Sequence, residues 1–80
     1  MVTPETAEDM SKKLVESYIN ACKPRDMDDV KHLILKLIGM AGLALAATHG
    51  EDMAVALIKG IAIGVGENAH RSRVEIIRSH

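Results

Sequence analysis

The sequence predicts an all-α fold: a small bundle of three to four helices with a Gly/Ala-rich central helical hairpin, completed by homodimerisation. Hydrophobic residues make up 48% of the 80 residues but aromatic residues only 1%, so aliphatic and methionine side chains must form the core. Such side chains fill the seams between helices well. They also recur at intervals of three and four residues, the period of a helix face. A chain of this length is expected to form one domain, residues 1–80, near the lower size limit for independent stability.

The first helix is predicted to run from about Pro4 to Cys22. Thr3 is a candidate N-cap, and proline suits the first helical position because its missing N–H would be unpaired there anyway. The helix should end before Pro24, since the residue preceding a proline disfavours the helical region. Its expected buried stripe consists of Ala7, Met10, Leu14, Tyr18 and Ala21.

The second helix is predicted to begin near Asp26, whose carboxylate can cap it. From Leu37 to Ala47 the sequence is apolar on every side, which is typical of a helix that is buried all round or faces lipid. A chain of three short helices has too little surface to cover such a segment alone. The main apolar face of this helix consists of Val30, Leu33, Ile34, Leu37, Ala41, Ala44 and Leu45.

The third helix is predicted to begin near Asp52, after a turn in which Gly50 ends the second helix. It extends at least to Val65. The pattern leaves open whether it ends at the glycines 64–66 or continues to Ile77, and continuation with a kink is favoured because the register of the main face is kept. That main face consists of Ala54, Leu57, Ile58, Ile61 and Val65.

Small residues are the most informative feature of the two apolar helices. A glycine inside a helix costs about 1 kcal/mol relative to alanine, so several of them indicate close approach of helix backbones. We expect close packing between the second and third helices at Gly42, Ala46, Ala56, Gly60 and Gly64. This packing either only closes the hairpin or leaves further faces free for a two-fold homodimer, and the small size of the domain favours the dimer. The predicted dimer interface consists of Leu35, Gly39, Met40, Leu43 and Ala47.

No motif in the sequence predicts catalysis, a cofactor or a metal. The four histidines lack the His-Glu-x-x-His spacing, and the single Cys22 cannot form a zinc-binding pair. Asp28 and His32, four residues apart, offer too few ligands for a closed metal site. The apolar stretch 60–66 lacks the lysine and the preceding strand of a phosphate-binding loop. His49, beside Glu51, is interpreted as a polar turn residue rather than a proton-transfer group. The chain is therefore predicted not to be an enzyme.

The expected function is that of a small interaction or regulatory module, a homodimer that binds or modulates an unidentified protein partner. The alternative is a nucleic-acid-binding regulator with a basic C-terminal helix that contacts phosphates. A net charge of −1 excludes attraction of nucleic acid by the whole molecule. Within that helix, the candidate contacts are His70, Arg71, Arg73 and Arg78.

The sequence also favours a cytoplasmic protein without a membrane partner. The first residues are acidic and are not followed by the apolar run of a secretory signal. The uncharged run from Leu37 to Thr48 is shorter than the roughly 20 residues that span a bilayer. A lone Cys22 fits a reducing compartment and is expected to be a small buried apolar residue.

Overall fold

The computed structural model describes residues 1–69, and they form three α-helices and no strand. Helix α1 spans Pro4–Cys22, α2 spans Met27–His49 and α3 spans Glu51–Asn68. The predicted all-helical class is confirmed. Helix α3 continues through both Gly64 and Gly66, whereas any extension to Ile77 lies outside the described residues. Backbone contacts group the described residues into two units, Met1–Ile34 and a second that begins at Leu35, and each is described by itself.

Helix α1 has the termini that the sequence predicts. The Thr3 hydroxyl accepts a hydrogen bond from the Thr6 N–H at 3.2 Å, and Pro4 occupies the first helical position. At the other end, Lys23 adopts the left-handed conformation with φ 54°, and its N–H donates to the Asn20 carbonyl at 3.3 Å. This bond satisfies a carbonyl of the last turn, and the helix ends at Cys22, two residues before Pro24.

The first unit packs α1 against the start of α2. Ile19 and Val30 are buried, and the Tyr18 hydroxyl donates a hydrogen bond to the Leu33 carbonyl at 3.0 Å. The predicted buried stripe of α1 is wrong at Met10 and Leu14, which are 58% and 61% exposed, and at Ala21, which is also exposed. Only the two turns of α2 from 27 to 34 belong to this unit, about 12 Å of helix, and they are too short to cover the whole length of α1.

The connection between α1 and α2 is polar and exposed. Helix α2 begins at Met27, and Asp26 caps it by accepting a hydrogen bond from the Asp29 N–H at 2.9 Å, as the sequence predicts. Cys22, by contrast, is exposed rather than buried. It is the last residue of α1 and therefore lies at the edge of the contact between α1 and α2.

The second unit is a hairpin of the remaining part of α2 and α3. Gly50 joins the two helices with φ 87°, a conformation that side chains disfavour, and its N–H donates to the Ala46 carbonyl at 2.8 Å. Ala54 is buried and Gly42 is half-buried. A Cβ at Gly42 would lie 3.1 Å from the Ile58 Cδ1, so the glycine lets α3 approach closely. Beyond Ala54, the expected main face of α3 is exposed at each of its other positions, Leu57, Ile58, Ile61 and Val65.

Candidate interaction surface

The second half of α2 has an exposed face that we call the α2 face, defined by Lys36, Gly39, Met40, Leu43 and Ala47. At about 100° of rotation per residue, these positions lie on one side of the helix, roughly 60–160° from Gly42, which faces α3. Leu43 is 65% exposed, and the other four residues are exposed as well. Four of the five residues of the predicted dimer interface belong to this face. The fifth, Leu35, is exposed but lies on the same side of α2 as Gly42 and not on the α2 face.

The uncovered apolar surface of the second unit is large. Between residues 35 and 69, eleven large apolar side chains are 37–69% exposed. A whole aliphatic side chain offers about 60–120 Å², so together they leave roughly 500 Å² uncovered. One partner in a standard interface buries about 800 Å², of which about 56–65% is apolar. The eleven side chains are Leu35, Ile38, Met40, Leu43, Met53, Val55, Leu57, Ile58, Ile61, Ile63 and Val65.

The outer side of α3 differs from the α2 face in its charges. Asp52, Lys59 and Glu67 lie within about 40° of the direction opposite the buried Ala54. All three are exposed. The α2 face has a single charge, Lys36, at its N-terminal end. Charged residues are depleted at the centre of interfaces, and the α2 face resembles such a centre in composition more than the outer side of α3 does.

The small residues of the hairpin differ in exposure and in how closely the other helix approaches them. Gly42 and Ala46 are half-buried, and Gly42 lies against α3. Ala56 and Gly60 are exposed, and an added Cβ at Gly60 or Gly64 would meet no heavy atom within 4 Å. Within one chain, nothing supports the expected packing of Ala56, Gly60 and Gly64 against α2. The close approach of α2 and α3 depends on Gly42.

Polar side chains cluster at the connection between α1 and α2, around an open cavity of about 330 Å³. The Arg25 Nε lies 2.9 Å from the Asp29 Oδ2, and the Arg25 backbone N–H donates to the same oxygen at 3.0 Å. These hydrogen bonds lower the pKa of Asp29 from its ordinary 3.8 to about 2, and the pairing raises the pKa of Arg25. The lining residues are Cys22, Lys23, Pro24, Arg25, Asp29, His32 and Leu33. Because Arg25 is already bound to Asp29, this cluster serves to hold the start of α2.

The described residues offer no metal centre. Within residues 1–69, no three His, Cys, Asp or Glu side chains are grouped closely enough to bind an ion. The His32 Nδ1 lies 3.5 Å from the Asp28 Oδ2, and this pair is exposed. The His49 Nδ1 lies 2.8 Å from the Thr48 hydroxyl, so the turn histidine is engaged with its neighbour. The candidate nucleic-acid contacts His70, Arg71, Arg73 and Arg78 lie outside the described residues, and that hypothesis stays a prediction.

One helix in the described part of the chain, α2, is by length and composition able to cross a membrane. Core helices of soluble proteins and signal sequences share these properties, so this observation is weak evidence for a membrane span. Its uncharged part, residues 37–49, has a length of about 20 Å, compared with about 30 Å for the hydrocarbon core of a bilayer.

Compared with known proteins, the chain matches no family model, no curated protein and no solved structure. Its function must therefore be argued from its own residues.

Proposed function

We propose that this chain is a non-enzymatic interaction module that self-associates through the α2 face and, as a homodimer, binds or modulates a protein partner. The observation that supports this most strongly is the α2 face itself. It is exposed, apolar apart from Lys36, and belongs to a unit whose described residues include a single buried side chain, Ala54. The α2 face is part of the roughly 500 Å² of exposed apolar side-chain surface in this unit, and large exposed apolar surface is typical of interaction sites.

Burial of the exposed apolar surface provides a driving force for association. Burying all of the roughly 500 Å² in the second unit would contribute about 12 kcal/mol per chain at about 25 cal/mol per Å². Association costs about 4–15 kcal/mol in lost translational and rotational freedom. A dimer through the α2 face would bury only part of this surface, chiefly Met40 and Leu43, because the other side chains lie on α3 or on other sides of α2. The charged outer side of α3 then stays free for a different partner.

The first test is the absolute mass in solution, measured by light scattering over a dilution series. We expect a dimer. Leu43→Glu should convert it to a folded monomer or prevent folding, because two carboxylates would be buried at the interface without partners. Ile63→Glu is the matched control, since Ile63 is also 65% exposed but lies on the outer side of α3.

Two outcomes would contradict the proposal. Either a wild-type chain that is monomeric at every concentration, or a Leu43→Glu variant with an unchanged oligomeric mass, excludes self-association through the α2 face. Recovery of the wild-type chain only with detergent or lipid vesicles would instead show that lipid covers α2. The helicity of the Leu43→Glu variant, measured by circular dichroism, separates loss of association from loss of folding.

A further inference from the structure

Two charges of opposite sign flank the apolar part of α2. Lys36 and Glu51 are both exposed, and among residues 1–69 neither forms an ion pair. Every residue between them is uncharged at pH 7 when His49 is neutral. The positive end precedes the apolar segment and the negative end follows it, where Asp52 reinforces it.

The centre of the charges coincides with the centre of the apolar face. The midpoint between Lys36 and Glu51 falls between residues 43 and 44. The midpoint between the two small residues Gly39 and Ala47 falls on Leu43. A two-fold axis at this point would place Gly39 of one chain opposite Ala47 of the other, where small side chains permit close approach. The same axis would place Lys36 of each chain beside Glu51 of the other.

We infer that the second copy docks antiparallel on the α2 face, with the two-fold axis beside Leu43 and two symmetric ion pairs between Lys36 and Glu51. A parallel pair would instead bring like charges together at both ends, which is destabilising. The inference rests on the proposed self-association and adds its geometry. The occupant of the face is therefore a second copy of this chain, because Lys36 on the α2 face and Glu51 at the start of α3 would pair with each other across the two-fold axis.

Disulfide cross-linking tests the position of the axis. In a Cys22→Ser background, Leu43→Cys should form a cross-linked dimer under mild oxidation, because a residue on the axis meets its own copy within the distance of about 4.4–6.8 Å that a disulfide needs between Cα atoms. Ile63→Cys, equally exposed on α3, is the matched control and should stay largely reduced. A mixture of Gly39→Cys and Ala47→Cys chains should cross-link to each other more than either does to itself.

Charge exchange tests the orientation. Lys36→Glu or Glu51→Lys alone should raise the dimer Kd about twofold to thirtyfold at low salt, since exposed pairs are each worth about 0.2–1 kcal/mol and two are lost. The double variant, which restores both pairs with reversed sign, should return the Kd to within about threefold of wild type. At high salt the differences should shrink, because exposed charges are screened.

The two proposals fail in different ways. If the wild type is a dimer but Leu43→Cys does not cross-link and the double charge exchange does not restore the Kd, the antiparallel geometry is wrong while self-association stands. If the wild type is a monomer at every concentration, both are wrong. Cross-linking at Leu43 together with restoration by the double variant supports the antiparallel dimer.

Discussion

The two units of the chain differ in how many buried residues, hydrogen bonds and ion pairs hold each of them together. The first has buried Ile19 and Val30, a hydrogen bond from Tyr18 to the Leu33 carbonyl, and the ion pair between Arg25 and Asp29. Among its described residues, the second has one buried residue, Ala54, and no ion pair. The difference teaches that a helical hairpin can be well formed locally while most of its apolar surface still lacks a neighbour.

The largest expected effect of a single truncation lies in the first unit. Ile19→Ala should lower the free energy of unfolding by about 2–5 kcal/mol, because a fully buried side chain leaves a cavity. Ile61→Ala is the comparison in the second unit, where the side chain is 69% exposed, and it should change the free energy by less than about 0.5 kcal/mol. Urea unfolding followed by circular dichroism measures both. Equal losses would show that Ile61 is covered in the assembled protein.

A smaller effect is expected from alanine substitutions at Gly39 and Gly60, two glycines with similar surroundings in the single chain. An added Cβ at Gly39 or at Gly60 would meet no heavy atom within 4 Å. Alanine should therefore stabilise either helix by about 1 kcal/mol if both positions stay exposed. Because Gly39 lies on the α2 face, we expect Gly39→Ala to weaken the dimer and Gly60→Ala to leave its Kd unchanged. A comparison of the two Kd values by sedimentation would refute the α2 interface if the variants behaved identically.

The smallest expected effect is the pH dependence of the first unit. The pKa of Asp29 is lowered to about 2 by its hydrogen bonds from Arg25, so folding favours the charged carboxylate. The resulting stability should be fully present above the ordinary pKa of 3.8 and should be lost as the pH falls from about 4 towards 2. Urea midpoints measured from pH 6 to 2 test this. In Asp29→Asn that contribution to the acid dependence should disappear, and an unchanged pH profile would contradict the assignment.

Local features of the sequence determined the helices. Thr3 with Pro4, Asp26 and Gly50 are signals whose effect depends only on neighbouring backbone groups, so the number of helices and most of their ends are predictable from them. The sequence also predicts that the interface residues are exposed in a single chain, because a helix that is apolar on every side has more apolar surface than one hairpin can cover.

Only the tertiary structure decided which apolar faces are covered. Met10 and Leu14 belong to a regular helical stripe, yet they are exposed, whereas Ile19 near the end of the same helix is buried. A Cβ added at Gly42 would lie 3.1 Å from the Ile58 Cδ1, whereas one added at Gly60 or Gly64 would meet no heavy atom within 4 Å, although all three glycines follow the same small-residue pattern. A periodic pattern specifies that a face is apolar, but the length and the approach of the neighbouring helix determine whether that face is buried.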